Sequence, residues 1–138
     1  MSLERFTRRE LIAVAPDAAV DEVARLMRAR HVGAVLVVDD GRPVGIVTDR
    51  DLVVRLLAEG WTPSAPVRAV MTRELVVAQV EDDIDHAFFT MRRYGIRRLP
   101  IVDDDGTLVG MVALDDLLVL LGGEVSSLVE TVLDNRGP

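Results

Sequence analysis

The chain is written twice. Arg9-Glu10-Leu11-Ile12-Ala13-Val14 recurs as Arg73-Glu74-Leu75-Val76-Val77-Ala78, an offset of 64 residues. The same offset carries Met27 onto Met91, Val32 onto Ile96 and Val37-Val38-Asp39 onto Ile101-Val102-Asp103. One extra residue, Asp105, then shifts the offset to 65, so that Gly41 falls on Gly106, Val44-Gly45-Ile46-Val47 on Val109-Gly110-Met111-Val112, and Asp51-Leu52 on Asp116-Leu117. An insertion at a turn is where a loop tolerates length. Repetition at this period constrains the fold more than any other feature, because each copy is one supersecondary unit that buries little surface alone and must face its twin.

Both copies read as the same string of elements. A short apolar stretch, Leu11 to Val14 or Leu75 to Ala78, predicts a strand. Val20, Val23, Ala24 and Met27 share one face of a helix, for which Asp17 after Pro16 is the expected N-cap. The run Ala34 to Val38, rich in β-branched residues, predicts a strand buried on both faces. Asp40-Gly41 and Asp105-Gly106 are turn signals. Second strands, Val44 to Val47 and Val109 to Val112, lead into second helices beginning near Asp49 and Leu114. The expected fold class is therefore α/β (α+β), with two pseudo-symmetric repeats of strand-helix-strand-strand-helix packed as one module and a cleft along their pseudo-twofold axis. The boundaries expected are residues 8–60 for repeat 1, 61–69 for a Pro- and Gly-rich linker, 70–122 for repeat 2 and 123–138 for a C-terminal helix and tail. Gly122-Gly123 reads as a helix C-cap between the last two. Trp61 is expected to pack over the repeat junction. Val125, Leu128, Val129, Val132 and Leu133 form an apolar face that serves either as a lid on the module's own core or as a dimer contact.

Composition excludes several chemistries. There is no cysteine, hence no disulfide, thiolate metal site or cysteine nucleophile. All 16 basic residues are arginine, which removes the P-loop lysine and the Schiff-base lysine. Against 23 acidic residues they leave a net charge of −7, the wrong sign for a nucleic-acid binder. The longest apolar runs, Leu117 to Leu121 among them, fall far short of the ~20 residues a bilayer span requires, and the charged N-terminus has no apolar core of a signal peptide. A cytoplasmic protein is expected, with no nucleic acid or membrane among its partners. His31 and His86 lack metal-ligand spacing, and Asp103-Asp104-Asp105-Gly106 lacks the alternating ligands and distal glutamate of a calcium loop, so no metal is expected. No nucleophile-and-base signature is present, and no catalytic residue is expected.

HVGAVLVVDDGRPVGIVTDRDL, from His31, resembles a CBS repeat of the kind found in stand-alone bacterial CBS-pair proteins and in inosine monophosphate dehydrogenases. YGIRRLPIVDDDGTLVGMVALDDL, from Tyr94, is similar to the second repeat of such pairs, and VRAVMT, from Val67, resembles the segment that opens a repeat. Roughly residues 8–122 carry the resemblance. It implies a regulatory module, not an enzyme, that binds an adenosine-containing nucleotide (AMP, ADP or ATP ahead of NAD or S-adenosylmethionine) between its repeats. It also implies a homodimer of CBS pairs, for which the apolar run Leu117 to Leu121 is a candidate interface, and an effector protein on another chain.

Thr48-Asp49-Arg50-Asp51 is where that chemistry would lie. As a bare motif it is also a capping box, in which threonine and the acid three residues on satisfy the first turn of a helix. The same geometry suits a nucleotide. A helix N-terminus favours phosphate, a threonine hydroxyl and Arg50 can bind its oxygens, and Asp51 can accept from ribose hydroxyls. The resemblance favours this second reading. Ile46, Val47, Ile12, Ala13, Val32, Gly33 and Ala34 are the expected wall of an apolar adenine slot, with simple packing as the alternative. In the second copy Ala113 replaces Thr48 and Asp115 replaces Arg50, while Asp116 remains. Arg97 and Arg98, before Leu99-Pro100, supply basic residues where the first copy has Gly33-Ala34. The expectation is one competent site on Thr48 and Asp51 and a second, degenerate site among Asp116, Ala113, Arg97, Arg98 and Pro100. The alternative that remains is an interaction module that binds no nucleotide.

Overall fold

The computed structural model describes residues 1–134. Repeat 1 contributes β1 (Ala13–Val14), α1 (Val20–Arg30), β2 (Ala34–Asp39), β3 (Arg42–Thr48) and α2 (Asp49–Asp51), which runs on as a π-helical stretch, Leu52–Ala58. Repeat 2 contributes β4 (Ala78–Gln79), α3 (Ile84–Tyr94), β5 (Arg98–Val102), β6 (Leu108–Ala113) and α4 (Leu114–Asp134). Each repeat holds a three-stranded sheet in which a short first strand pairs parallel to the middle one and the third pairs antiparallel to it. The first strands are shorter than the apolar stretches that predict them, because only two residues of each reach the ladder.

The hairpin turns follow their residues. Asp40 (φ 51°) and Gly41 (φ 76°) are both left-handed, the two-residue turn whose twist matches the flanking strands. The longer second turn is closed by Asp103, whose carboxylate accepts from the backbone N–H of Asp105 (2.9 Å) and of Thr107 (3.0 Å). The acidic run is thus a turn. His31, at φ 54°, ends α1 in the left-handed conformation that Gly95 adopts after α3.

The two copies exchange their opening segments. A 3-10 turn, Leu3–Phe6, puts Leu3 and Phe6 into the core of repeat 2 with Ile84, Leu99, Ile101 and Leu117. Its counterpart, Val67–Ala69, puts Val67, Val70 and Met71 into the core of repeat 1 with Val20, Val23, Val37 and Val47. Offset 64 carries Leu3 onto Val67 and Phe6 onto Val70, so the exchange is symmetric. Paired backbone hydrogen bonds lock each segment to the partner sheet: Arg8 with Met111 (2.9 and 3.0 Å) and Thr72 with Ile46 (2.8 and 3.0 Å). The strand glycines make room for this. A Cβ on Gly110 would lie 2.7 Å from the Arg8 carbonyl oxygen, and one on Gly45 would lie 2.8 Å from Met71 Cγ. Each half-core is therefore completed by residues from the other repeat, which makes one cooperative module of two marginal halves.

Three expectations are corrected. Asp17 does not cap α1: the helix begins after Ala19, which offers no side-chain cap, and Asp17 pairs with Arg68 instead. The cap survives only in repeat 2, where Asp83 takes the position of Ala19 and accepts from the N–H of Asp85. Gly122-Gly123 is not a helix end, since α4 is continuous from Leu114 to Asp134. A glycine stops a helix by turning left-handed, and neither of these has a positive φ. Nor is the C-terminal apolar face a lid on the core. Val125, Leu128, Val129, Val132 and Leu133 remain 52–66% exposed, because Leu117 and Leu121 tie only the first turns of α4 to the module. The tail beyond residue 134 lies outside the described residues. Trp61 is 38% exposed in the connecting segment.

Candidate functional site

A cavity of about 370 Å³ opens between the repeats. Repeat 1 lines it with Ile12, Val32, Gly33 and Ala34, and repeat 2 with Arg98, Met111, Ala113 and Asp116. Residues expected at two separate sites thus share one cleft, and its walls are drawn crosswise from both repeats. The pleat explains which residues arrive. Gly33 and Ala34 stand where α1 turns into β2, and Ala113 and Asp116 stand where β6 turns into α4. Ala34 is the ladder partner of Thr48, and Arg98 is the partner of Ala113. The two strand-to-helix turns are built alike: the Asp49 N–H donates to the Gly33 carbonyl at 3.0 Å, and the Leu114 N–H to the Arg97 carbonyl at 2.8 Å.

Thr48 and Asp51 lie just beyond Ala34 and outside the cavity lining. They form a reciprocal capping box: Thr48 Oγ1 accepts from the Asp51 N–H at 3.1 Å, and Asp51 Oδ2 accepts from the Thr48 N–H at 2.9 Å. That arrangement does not exhaust either side chain. The threonine hydroxyl still has a proton to donate, and Asp51 Oδ1 makes no hydrogen bond among the described residues. Arg50 is exposed, and its backbone N–H donates to Asp49 Oδ1 at 2.8 Å. Ile46 is partly buried and bridged to Thr72. Val47 is fully buried in the repeat 1 core. Ala13 is exposed and paired with Leu36, and Pro100 is buried opposite Met111.

The second acid is differently placed. Arg8, from the exchanged N-terminal segment, forks onto Asp116, with Nε to Oδ2 at 2.7 Å and Nη2 to Oδ1 at 2.8 Å. Both carboxylate oxygens of Asp116 are engaged. Arg97 pairs with Asp115 at 2.8 Å, while Arg98 makes no ion pair among the described residues. Small apolar residues, a carboxylate and an uncommitted guanidinium therefore meet in one cleft, a set that can take a flat ring, a polyol and an anion. Among the described residues, no group of three metal-ligating side chains occurs, and no helix is long and apolar enough to cross a membrane.

Sequence reasoning did not anticipate Arg8, Glu10, Leu11, His31, Leu36 or Met111 in the cleft wall. Offset 65 pairs Ile46 with Met111 and was a usable signal for that residue. Arg8 had none, because periodicity does not say which half a segment packs against.

Two facing half-modules, each with a βαββα order and a strand-to-helix turn on the shared cleft, define a tandem-repeat pair. The CBS domain family matches residues 3–58 and 67–123, and the chain belongs to it. The CBS domain-containing protein YhcV of Bacillus subtilis is 42% identical over 110 residues, 80% of this chain and 78% of that protein. An uncharacterized protein, MK0525, of Methanopyrus kandleri is 35% identical over 86% of this chain, which spans 61% of that relative's length. Against the inosine-5'-monophosphate dehydrogenase of Thermoplasma acidophilum, 33% identical, the chain spans 22%. Among solved structures, the CBS domain pair of protein MJ0100 in complex with 5-methylthioadenosine and S-adenosyl-L-methionine superposes with a TM-score of 0.78 at 26% identity, covering 90% of this chain and 98% of that one. The CBS domain protein PAE2072 of Pyrobaculum aerophilum, complexed with AMP, gives 0.76 at 25% identity over 85% of this chain and 90% of that one.

Proposed function

We propose that the chain is a regulatory module that binds an adenosine-containing nucleotide in the cleft between its repeats and performs no catalysis of its own. The observation that carries this reading is the cavity itself. At about 370 Å³ it lies in the range of small-ligand sites. Its small apolar wall at Gly33 and Ala34 would admit a purine, Arg98 in the lining offers a guanidinium to phosphate, and Thr48 and Asp51 stand at its edge just beyond Ala34. The adenosine ligands of the related pairs support the same class. AMP, ADP and ATP are the leading candidates, ahead of NAD and S-adenosylmethionine.

Of the two carboxylates beside the cleft, Asp51 is the better ribose acceptor, because its Oδ1 accepts nothing among the described residues whereas both Asp116 oxygens already accept from Arg8. The Thr48 hydroxyl, with Arg50 and Arg98, neither of which makes an ion pair among the described residues, would take phosphate oxygens. The degenerate half, with Ala113, Asp115 and Asp116, presents carboxylates where an anion would sit. A homodimer of pairs and an unidentified effector protein complete the proposed assembly.

The test is isothermal titration calorimetry of the full chain against AMP, ATP, NAD and S-adenosylmethionine, with GMP as a control. One equivalent of an adenosine ligand per chain at micromolar affinity, about −8 kcal/mol, with no heat from GMP, is the expected result. No binding by any of the four would leave the interaction module as the better account.

A further inference from the structure

The two copies differ at the residue that the exchanged segment brings to each cleft carboxylate. Offset 64 carries Arg8 onto Thr72, and offset 65 carries Ile46 onto Met111 and Asp51 onto Asp116. The backbones there are equivalent, since Arg8 trades two hydrogen bonds with Met111 as Thr72 does with Ile46. Thr72 therefore stands to Asp51 as Arg8 stands to Asp116. Threonine is too short to reach across, and among the described residues the Asp51 carboxylate accepts only from the Thr48 N–H. Arginine does reach, and it forks onto both oxygens of Asp116 at 2.7 and 2.8 Å.

We infer that Arg8 is a built-in occupant of the Asp116 half of the cleft, a role that rests on the adenosine-binding reading above and adds what restricts it. A guanidinium edge and the two hydroxyls of a ribose are both pairs of donors side by side, and one carboxylate cannot satisfy the two together. Residue 8 thus decides that the module is filled from the Asp51 side. The arginine competes with a ligand without walling it out. Its side chain is 73% exposed, and the fork separates the cleft from a second hollow of about 230 Å³ against Phe6, Val119 and Leu120. The guanidinium has room to withdraw while the Arg8 backbone stays paired with Met111. An ion pair so exposed is worth up to roughly fivefold in an equilibrium constant. The ligand class follows from the same turn. With Ala113 and Asp115 where the first copy has Thr48 and Arg50, it offers carboxylate instead of phosphate donors, so an uncharged nucleoside suits it better than a nucleotide.

The test is calorimetric titration of adenosine into the full chain as wild type, Arg8→Thr, Thr72→Arg and Arg8→Thr/Asp116→Ala. Residues 8 and 72 are both exposed, so neither exchange enters a core, and thermal melts check that each variant is folded. Arg8→Thr gives the second copy the residue of the first. It should tighten the weaker adenosine site roughly fivefold, and adding Asp116→Ala should abolish that gain. Thr72→Arg is the reverse exchange and should weaken the Asp51 site by a similar factor. An Arg8→Thr chain that takes up adenosine no better than wild type, or a gain that survives Asp116→Ala, would overturn the inference. If wild type binds no adenosine but Arg8→Thr gains one equivalent that Asp116→Ala removes, Arg8 stands as the occupant and the Asp51 site is what falls.

Discussion

The exchange of opening segments can be broken with a single methyl group. In Gly110→Ala the new Cβ would overlap the Thr7 side chain and stand 2.7 Å from the Arg8 carbonyl oxygen. That oxygen is backbone, held by the Met111 N–H, so it cannot swing aside as a side chain would. Relief requires the N-terminal segment to lift from β6. The cost then includes the two hydrogen bonds between Arg8 and Met111, about 1 kcal/mol each. It also includes part of the burial of Leu3 and Phe6, which are 0% and 4% exposed and worth about 1.5–3 kcal/mol apiece when fully buried. Alanine returns about 0.5–1 kcal/mol by restricting the unfolded chain. The net loss is about 2–3 kcal/mol, or a fall of about 10 °C in Tm for a chain of this size. Gly122→Ala is the internal control. Its Cβ meets nothing within 4 Å in the middle of α4, and it should gain about 0.5–1 kcal/mol. Thermal melts of the two variants beside wild type make the assay. If Gly110→Ala melts within about 2 °C of wild type, the N-terminal segment does not complete the core of repeat 2 and the account of the exchange fails.

Other predictions follow from the caps and pairs. Thr48→Val keeps the shape but removes the acceptor for the Asp51 N–H, and should cost about 1 kcal/mol in a denaturant titration. Asp83 is held below the usual carboxylate range, chiefly because the Asp85 N–H donates to it, with the Met1 ammonium at 3.4 Å assisting against desolvation. A depressed folded pKa means its stabilisation is complete above its unfolded pKa and disappears as pH falls through the lower folded one. Asp83→Asn should therefore flatten the acid limb of a stability–pH curve, and an unchanged limb would refute the assignment. Arg8→Ala breaks an ion pair whose arginine is 73% exposed, so its melting free energy should move by less than about 1 kcal/mol.

The sequence made the repeat, the order of elements and the turns legible for physical reasons. The duplicated pattern writes each element twice, and Asp40-Gly41 demands a left-handed pair whatever surrounds it. Cap positions were harder. Asp17 has the chemistry of a cap, yet the helix starts two residues later and Arg68 claims the carboxylate, a contact across 51 residues that no local pattern carries. The helix end at Gly122-Gly123 failed because glycine permits a left-handed turn without requiring one. At the cleft, the motif from Thr48 to Asp51 and the small pair Gly33-Ala34 were visible as residue types. Their crosswise grouping with Arg98 and Asp116, and the fork from Arg8, depend on how the two halves face each other, and that is a tertiary fact.

The most direct test of the central claim compares adenosine-ligand affinity by calorimetry in wild type, Asp51→Ala and Asp116→Ala, each below its melting transition. The account predicts that Asp51→Ala weakens binding by about 1–3 kcal/mol, roughly 10- to 100-fold, while Asp116→Ala, whose carboxylate already serves Arg8, changes it much less. Equal losses at the two positions, or affinity that neither substitution alters, would contradict it.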